Sequence, residues 1–170
     1  MTSDLALDAA RLVRDERWAA LATLHEGVPL ASHVAYAPEA DLASLVLHLS
    51  GMSAHTRDLL ADGRSSLAIG RADGGAGDPQ TLARITLTGL AIPLEEGARG
   101  HGAAKALYLA RFPEAAMRFS LPDFVLFRFV PDSARYVGGF ARAARLTSAQ
   151  LTEAARTLRA PAASPEGSPS

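Results

Sequence analysis

The sequence predicts a small antiparallel β-barrel with short helices set between its strands. Three features predict it. Six or seven short runs carry apolar residues at two-residue spacing or as compact apolar blocks. Turn-forming residues separate neighbouring runs by a few positions, the pattern of a meander with antiparallel pairing. Helical spacing is confined to a few short stretches. Pattern alone leaves an open α+β sheet as the alternative.

Residues 4–17 read as a first helix: Leu5, Ala9, Leu12 and Val13 fall at helical spacing, with Asp8, Arg11, Arg14 and Asp15 on the other side. The apolar block Trp18–Leu24 reads as a strand, because His25-Glu26-Gly27 is a turn and Val28–Ala37 is a second extended run. After the turn Pro38–Asp41, residues Leu42–Leu49 alternate, with Leu45, Leu47 and Leu49 opposite Val46 and His48. Ser65–Arg71 is a fourth strand. The stretch Ala72–Pro79 is a flexible loop, too short and too poor in lysine for a P-loop. Arg84–Leu94 is the strongest strand, and Gly89 inside it marks a bulge or a close backbone approach.

Residues 97–120 read as helical, with Ala103, Leu107 and Ala110 as the apolar stripe and Pro113 restarting a second helix. Asp123–Val130 and Ala134–Val137 read as two strands around the turn Pro131-Asp132, and Gly138-Gly139-Phe140 as the end of the sheet. A short helix is expected over 148–159, and the Pro/Ser/Ala-rich stretch 160–170 is expected to be disordered. With no internal repeat and no linker, residues 1–147 are expected to form one domain.

The functional signal is concentrated in Leu49–Leu60. Ser53 reads as the N-cap of a short helix, its hydroxyl accepting from unpaired N–H groups of the first turn. Leu59 and Leu60 are expected to point to the core, with Gly63 as a left-handed stop. The first turn holds Ser53, His55, Thr56 and Arg57. With the partial positive charge and N–H donors of a helix N-terminus, they make a phosphate seat. An ordinary capped helix with a solvated first turn is the alternative.

Composition excludes several classes. A chain of 170 residues holds one domain with a proper core, and 48% hydrophobic with 21% charged residues is ordinary for a soluble protein. A net charge of −1 gives no footprint for nucleic acid. The lack of cysteine removes disulfides, thiolate catalysis and cysteine metal sites. The N-terminus has an acid where a signal peptide is basic, and no apolar run approaches the roughly 20 residues that span a bilayer. The expectation is a soluble, cytoplasmic protein with no membrane or nucleic-acid partner.

Trp18–Leu24 after a helix, Gly27–Ser32 after a turn, Ser53–Leu60, Arg84–Gly89, Tyr108–Ala115 and Val137–Phe140 occur in this order. Together they resemble the FMN-binding split-barrel family related to pyridoxamine 5′-phosphate oxidase, in the branch that includes haem-utilisation proteins. The resemblance implies a six-stranded antiparallel split β-barrel, a homodimer with FMN at its interface, and oxidoreductase chemistry on a small-molecule substrate. It implies a phosphate held near Ser50, Ser53, His55, Thr56 and Arg57, where the family's two basic residues are replaced by Ala54 and His55. The flavin ring would lie along Ser32, His33, Val34 and Ala35, with Arg84 reaching it from the long strand. Beside a phosphate, His55 would have its pKa raised by the anion.

The tryptophan and arginine–histidine set of true pyridoxamine phosphate oxidases is not recognisable around Tyr136–Arg142, which disfavours that activity. Haem-degrading members carry an axial histidine in extra C-terminal sequence. Here the last histidine is His101, which disfavours haem oxygenation by that route. A non-catalytic dimer binding flavin or haem is the alternative reading.

The histidines His25, His33, His48, His55 and His101 have no metal-ligand spacing, and no metal site is expected. No Gly-x-Ser-x-Gly nucleophile motif occurs. Tyr108 and Phe112, four apart, read as core. His33 and Tyr36 on the second strand are weighed evenly between structure and ligand.

Overall fold

In the computed structural model, which describes residues 2–159, the chain opens with helix α1 (Thr2–Asp15). It buries Ala9, Leu12 and Val13 of the expected stripe together with Ala6 and Ala10, while Leu5 is half-buried. The hairpin of β1 (Trp18–His25) and β2 (Val28–Ala35) follows. Its loop is two residues, Glu26 and Gly27, both with positive φ, which matches the twist of paired strands. A short bridge strand β3 (Ala37–Pro38), β4 (Leu45–Ser50), helix α2 (Ala54–Ala61) and β5 (Arg64–Gly70) come next. Then β6 (Arg84–Leu94), helix α3 (His101–Arg111), a 3₁₀ helix (Pro113–Ser120), β7 (Phe124–Val137), β8 (Ala143–Thr147) and α4 (Ser148–Arg159) complete the described chain. The expected tail at 160–170 lies outside the described residues.

All neighbouring strands pair antiparallel, in the order β2-β1-β5-β6-β7-β4-β3, and β2 curls round towards β4. β7 is long enough to serve two partners on one side: its first half pairs with β4 and its second half with β8, while β6 lies along the other side. The sheet is a split barrel of eight strands, one of them the two-residue β3, where the resemblance implies six.

Several elements differ from expectation. The strand read from Leu42 begins only at Leu45, since Leu42 has positive φ and closes the turn before it. The two strands expected around Pro131-Asp132 are one, because the register shift between Thr88 and Gly89 leaves Asp132 unpaired as a bulge, with Pro131 still paired to Gly89, without ending the strand. Gly138–Phe140 does not end the sheet; the chain turns back, Gly138 N–H donating to Arg142 O at 2.7 Å, into β8. The edge strand Ala-Ala-Arg-Leu-Thr buries only Leu146 among its side chains, too weak a pattern to read.

The main core fills the barrel and extends beneath α1 and α4. A second apolar cluster lies outside the sheet, where Ala104, Tyr108, Phe112 and Ala115 pack on Val46 and Leu126. The buried face of α3 is therefore Ala104 and Tyr108, not Ala103, Leu107 and Ala110, because the helix is rotated to set Tyr108 on the strands. Tyr108 and Phe112 are core, as their spacing suggests.

Gly63 is not a left-handed stop. It follows the extended Asp62, and a Cβ there would run into the Ala91 carbonyl, while Ala91 N–H donates to Gly63 O at 2.8 Å. The residue is small because β6 passes against it. Of the leucine pair on α2, Leu59 is buried and Leu60 exposed.

Candidate functional site

α2 is eight residues long and sits against β1, β2 and β6. Ser53 occupies its N-cap with extended backbone, but its hydroxyl makes no capping hydrogen bond. The chain is instead drawn to the start of β7: Gly51 N–H donates to Asp123 O at 2.5 Å and Ser50 Oγ to Asp123 Oδ2 at 3.1 Å. Ser50 Oγ also accepts from Met52 N–H at 3.3 Å, and Arg57 donates to Met52 O at 2.7 Å. The loop is held by its own side chains.

Of the remaining first-turn residues, Thr56 is fully buried and its hydroxyl has no hydrogen-bond partner among the described residues. Burial lowers the proton affinity of His55, with Asp58 pulling the other way. Asp58 is the residue the sequence reading missed. Buried under the helix, it accepts from Thr23 Oγ1 at 2.9 Å and lies 2.8 Å from His25 Nδ1. The hydrogen bond from His25 is the main cause holding its carboxyl below the usual range, with Thr23 and the charges of His25 and Arg57 adding to it. Its partners lie more than thirty positions away in the chain, so no local motif points to them.

The ring-side residues lie on β2. Ser32 pairs with Leu21, His33 with Ala20, Val34 with Ala19 and Ala35 with Trp18. Val34 is in the core, so its side chain does not face outward. Tyr36 is fully buried and donates to Val13 O at 2.9 Å, and burial pushes its pKa up. That answers the pair left even by the sequence: Tyr36 is structural. His33 is exposed, its ring stacked parallel on Trp18 with centroids 5.5 Å apart. Among the described residues no hydrogen bond ties its nitrogens.

Directly paired residues share a sheet face. Two rows therefore cross four strands on the outside: His33–Ala20–Ala68–Thr86 and Ala31–Ala22–Ser66–Thr88. Every member is uncharged and most are small, which makes a shallow, flat floor. Trp18, 57% exposed, stands at one end and Leu24 at the other.

Arg84 is not brought to the loop at Ser50. Ser50 pairs with Phe124, the first residue of β7, and Arg84 with Val137, the last. Arg84 instead donates to Gln80 O at 2.8 Å and Leu82 O at 3.2 Å. The chain thus divides the candidates into the loop and α2 at one end of the sheet, the β2 face, and Arg84 at the far end.

The model of the family described as CREG, beta-barrel matches residues 2–153. The chain belongs to that family. It is 39% identical over 121 residues to the chloroplastic non-canonical heme oxygenase HOZ of Arabidopsis thaliana, a match covering 70% of this chain and 35% of that protein. It superposes on the heme binding protein of Mycobacterium smegmatis with TM-score 0.78 and 32% identity, over 88% of this chain and 60% of the other. A general stress protein 26-related protein of the pyridoxinephosphate oxidase family, from Clostridium acetobutylicum, gives TM-score 0.62 at 14% identity, over 89% and 99% of the two chains. The last likeness is one of fold. The chain spans about a third of the length of the curated relative it matches. No helix of the described residues is long and apolar enough to cross a membrane, and none of their acidic and histidine side chains cluster in threes as a metal site.

Proposed function

We propose that this protein is a homodimeric haem-binding split barrel, with the porphyrin seated on the flat outer face of β1 and β2. The observation that carries the reading is His33, exposed and stacked on Trp18 at the edge of an uncharged floor. A planar, largely apolar ring suits such a floor, and the imidazole offers iron a nitrogen ligand. The two relatives named for haem support the choice of ligand. The exposed apolar side chains of Trp18, Leu24 and Leu90 on this side of the sheet also call for cover, which a second copy provides. Bound haem would supply iron redox chemistry, while the chain's own part is to hold the ring by stacking and orient His33.

A second reading, an FMN-dependent oxidoreductase acting on a small molecule, is favoured by the exposed Arg57 beside the α2 N-terminus. The phosphate seat is thin, however. Ala54 and His55 stand at the basic positions, burial lowers the proton affinity of His55, and Arg57 already binds Met52 O.

Titration with hemin and, separately, with FMN tests both. Haem binding should give a Soret band that saturates at one haem per subunit, and His33→Ala should weaken it at least roughly tenfold. A hemin isotherm unchanged in His33→Ala would count against the seat. FMN quenching that depends on Arg57, and riboflavin binding that does not, would favour the second reading.

A further inference from the structure

Outside the barrel, between α3 and the strands β4 and β7, lies a cleft of about 390 Å³. None of the site residues discussed above lines it. His48 forms its inner wall, with its ring 3.7 Å from that of Phe119 and nearly parallel (4°), tilted against Phe124 at 4.9 Å, and edge-on to Tyr108 at 5.6 Å. His48 is 7% exposed, and its Nδ1 is buried with no hydrogen-bond partner among the described residues. Buried polar atoms are seldom left unpaired, and this one belongs to a residue that lines the cleft, where a ligand can complete its bonding. The sequence places His48 on a strand face with no metal site expected, and the structure leaves its Nδ1 unsatisfied.

We propose that this cleft binds a small planar aromatic carboxylate. The volume lies at the lower end of the range for small-molecule sites, enough for one or two rings. Phe119, Phe124 and His48 supply a π-wall for the ring. Arg118, Lys105 and His101 are the basic side chains near His48; of these Lys105 and His101 line the cleft, and the Lys105 ammonium lies 5.1 Å from the Phe119 ring centre. Burial and these cations hold the imidazole pKa down to about 4. The ring is therefore neutral at pH 7, with one N–H to donate and one nitrogen to accept. A carboxylate accepts from that N–H and from Lys105. A cationic ligand would meet the Lys105 ammonium. Glu95 and Glu96, which also line the cleft, disfavour a dianion such as a phosphate monoester.

Benzoate and 1-naphthoate are the probes, followed by the imidazole carbon–proton NMR signals of His48 in the full chain. Both should shift His48 saturably, with benzyl alcohol and phenyl phosphate at least roughly tenfold weaker. Lys105→Met should weaken benzoate by a similar factor, and His48→Phe, followed by the ring-proton signals of benzoate itself, should remove the saturable binding. No saturable shift at His48, equal binding of benzyl alcohol, or benzoate affinity unchanged in Lys105→Met overturns the proposal. The lysine variant keeps the test decisive if His48→Phe folds poorly. The hemin titration reads a different face, so the two proposals fail separately.

Discussion

Asp58 on α2 reaches across to β1 with both carboxylate oxygens, Oδ2 accepting from Thr23 Oγ1 at 2.9 Å and Oδ1 lying 2.8 Å from His25 Nδ1. The helix that carries the phosphate-seat candidates is thereby tied to the first hairpin by one acid. Removing the charge should loosen it. A carboxyl held below its ordinary value stabilises the fold above the unfolded-state pKa, about 3.9, and loses that contribution as pH falls through the folded value. Asp58→Asn should therefore melt several degrees below wild type at pH 7, with a smaller gap at pH 3. A gap of the same size at both pH values would show that the carboxylate's charge plays no part.

Local pattern carried most of this fold and little of its site. Strand β6 is legible at its bounds because Ile85 and Leu87 alternate inward with Thr86 and Thr88 outward, and Ala91 keeps the same spacing beyond Gly89. The helices are visible for the same reason. Strand β8 was not, since its register is set by pairing with β7 and not by its own side chains. The first turn of α2 looked like a capped, polar end, yet tertiary contacts decide its chemistry. Asp123 takes the loop, Thr56 turns inward, and Asp58 finds partners on β1. Residues far apart in the chain supply each of those contacts, so spacing cannot announce them.

Gly63 separates two explanations of a glycine after a helix. If it were a left-handed stop, asparagine would serve nearly as well. Because a side chain there meets the Ala91 backbone, Gly63→Asn and Gly63→Ala should both destabilise, each by about 1–3 kcal/mol, the range for overpacking. Denaturant unfolding of the two variants reads this directly. A near-neutral asparagine variant would mean the backbone can relax away from β6.

The flat outer face predicts oligomeric state. Wild type should run at about twice the chain mass of 17.8 kDa in light scattering. Ala22→Arg places a charge in the middle of the uncharged rows, between Ala31 and Ser66, and should yield a folded monomer. A wild-type monomer at micromolar concentration, or a dimer indifferent to Ala22→Arg, would move the interface elsewhere.

His48 makes the last prediction, on stability against pH. Its folded pKa is about 4, lowered first by burial and then by Arg118, Lys105 and His101, against an unfolded value of 6.5. Between those values the unfolded chain binds the extra proton, so stability rises with pH across that window. The contribution is complete above pH 6.5 and declines as pH falls towards 4. A shift of this size corresponds to at most about 3 kcal/mol, and water in the adjoining cleft reduces it, so a loss of about 1–2 kcal/mol between pH 7 and pH 4.5 is expected. His48→Phe keeps the aromatic stack on Phe119 but cannot take up a proton. Its stability should therefore fall less steeply than that of wild type over the same window, and urea unfolding at several pH values measures the difference. Parallel profiles would mean that His48 is readily protonated in the folded protein, and the neutral ring assigned to it would have to be given up.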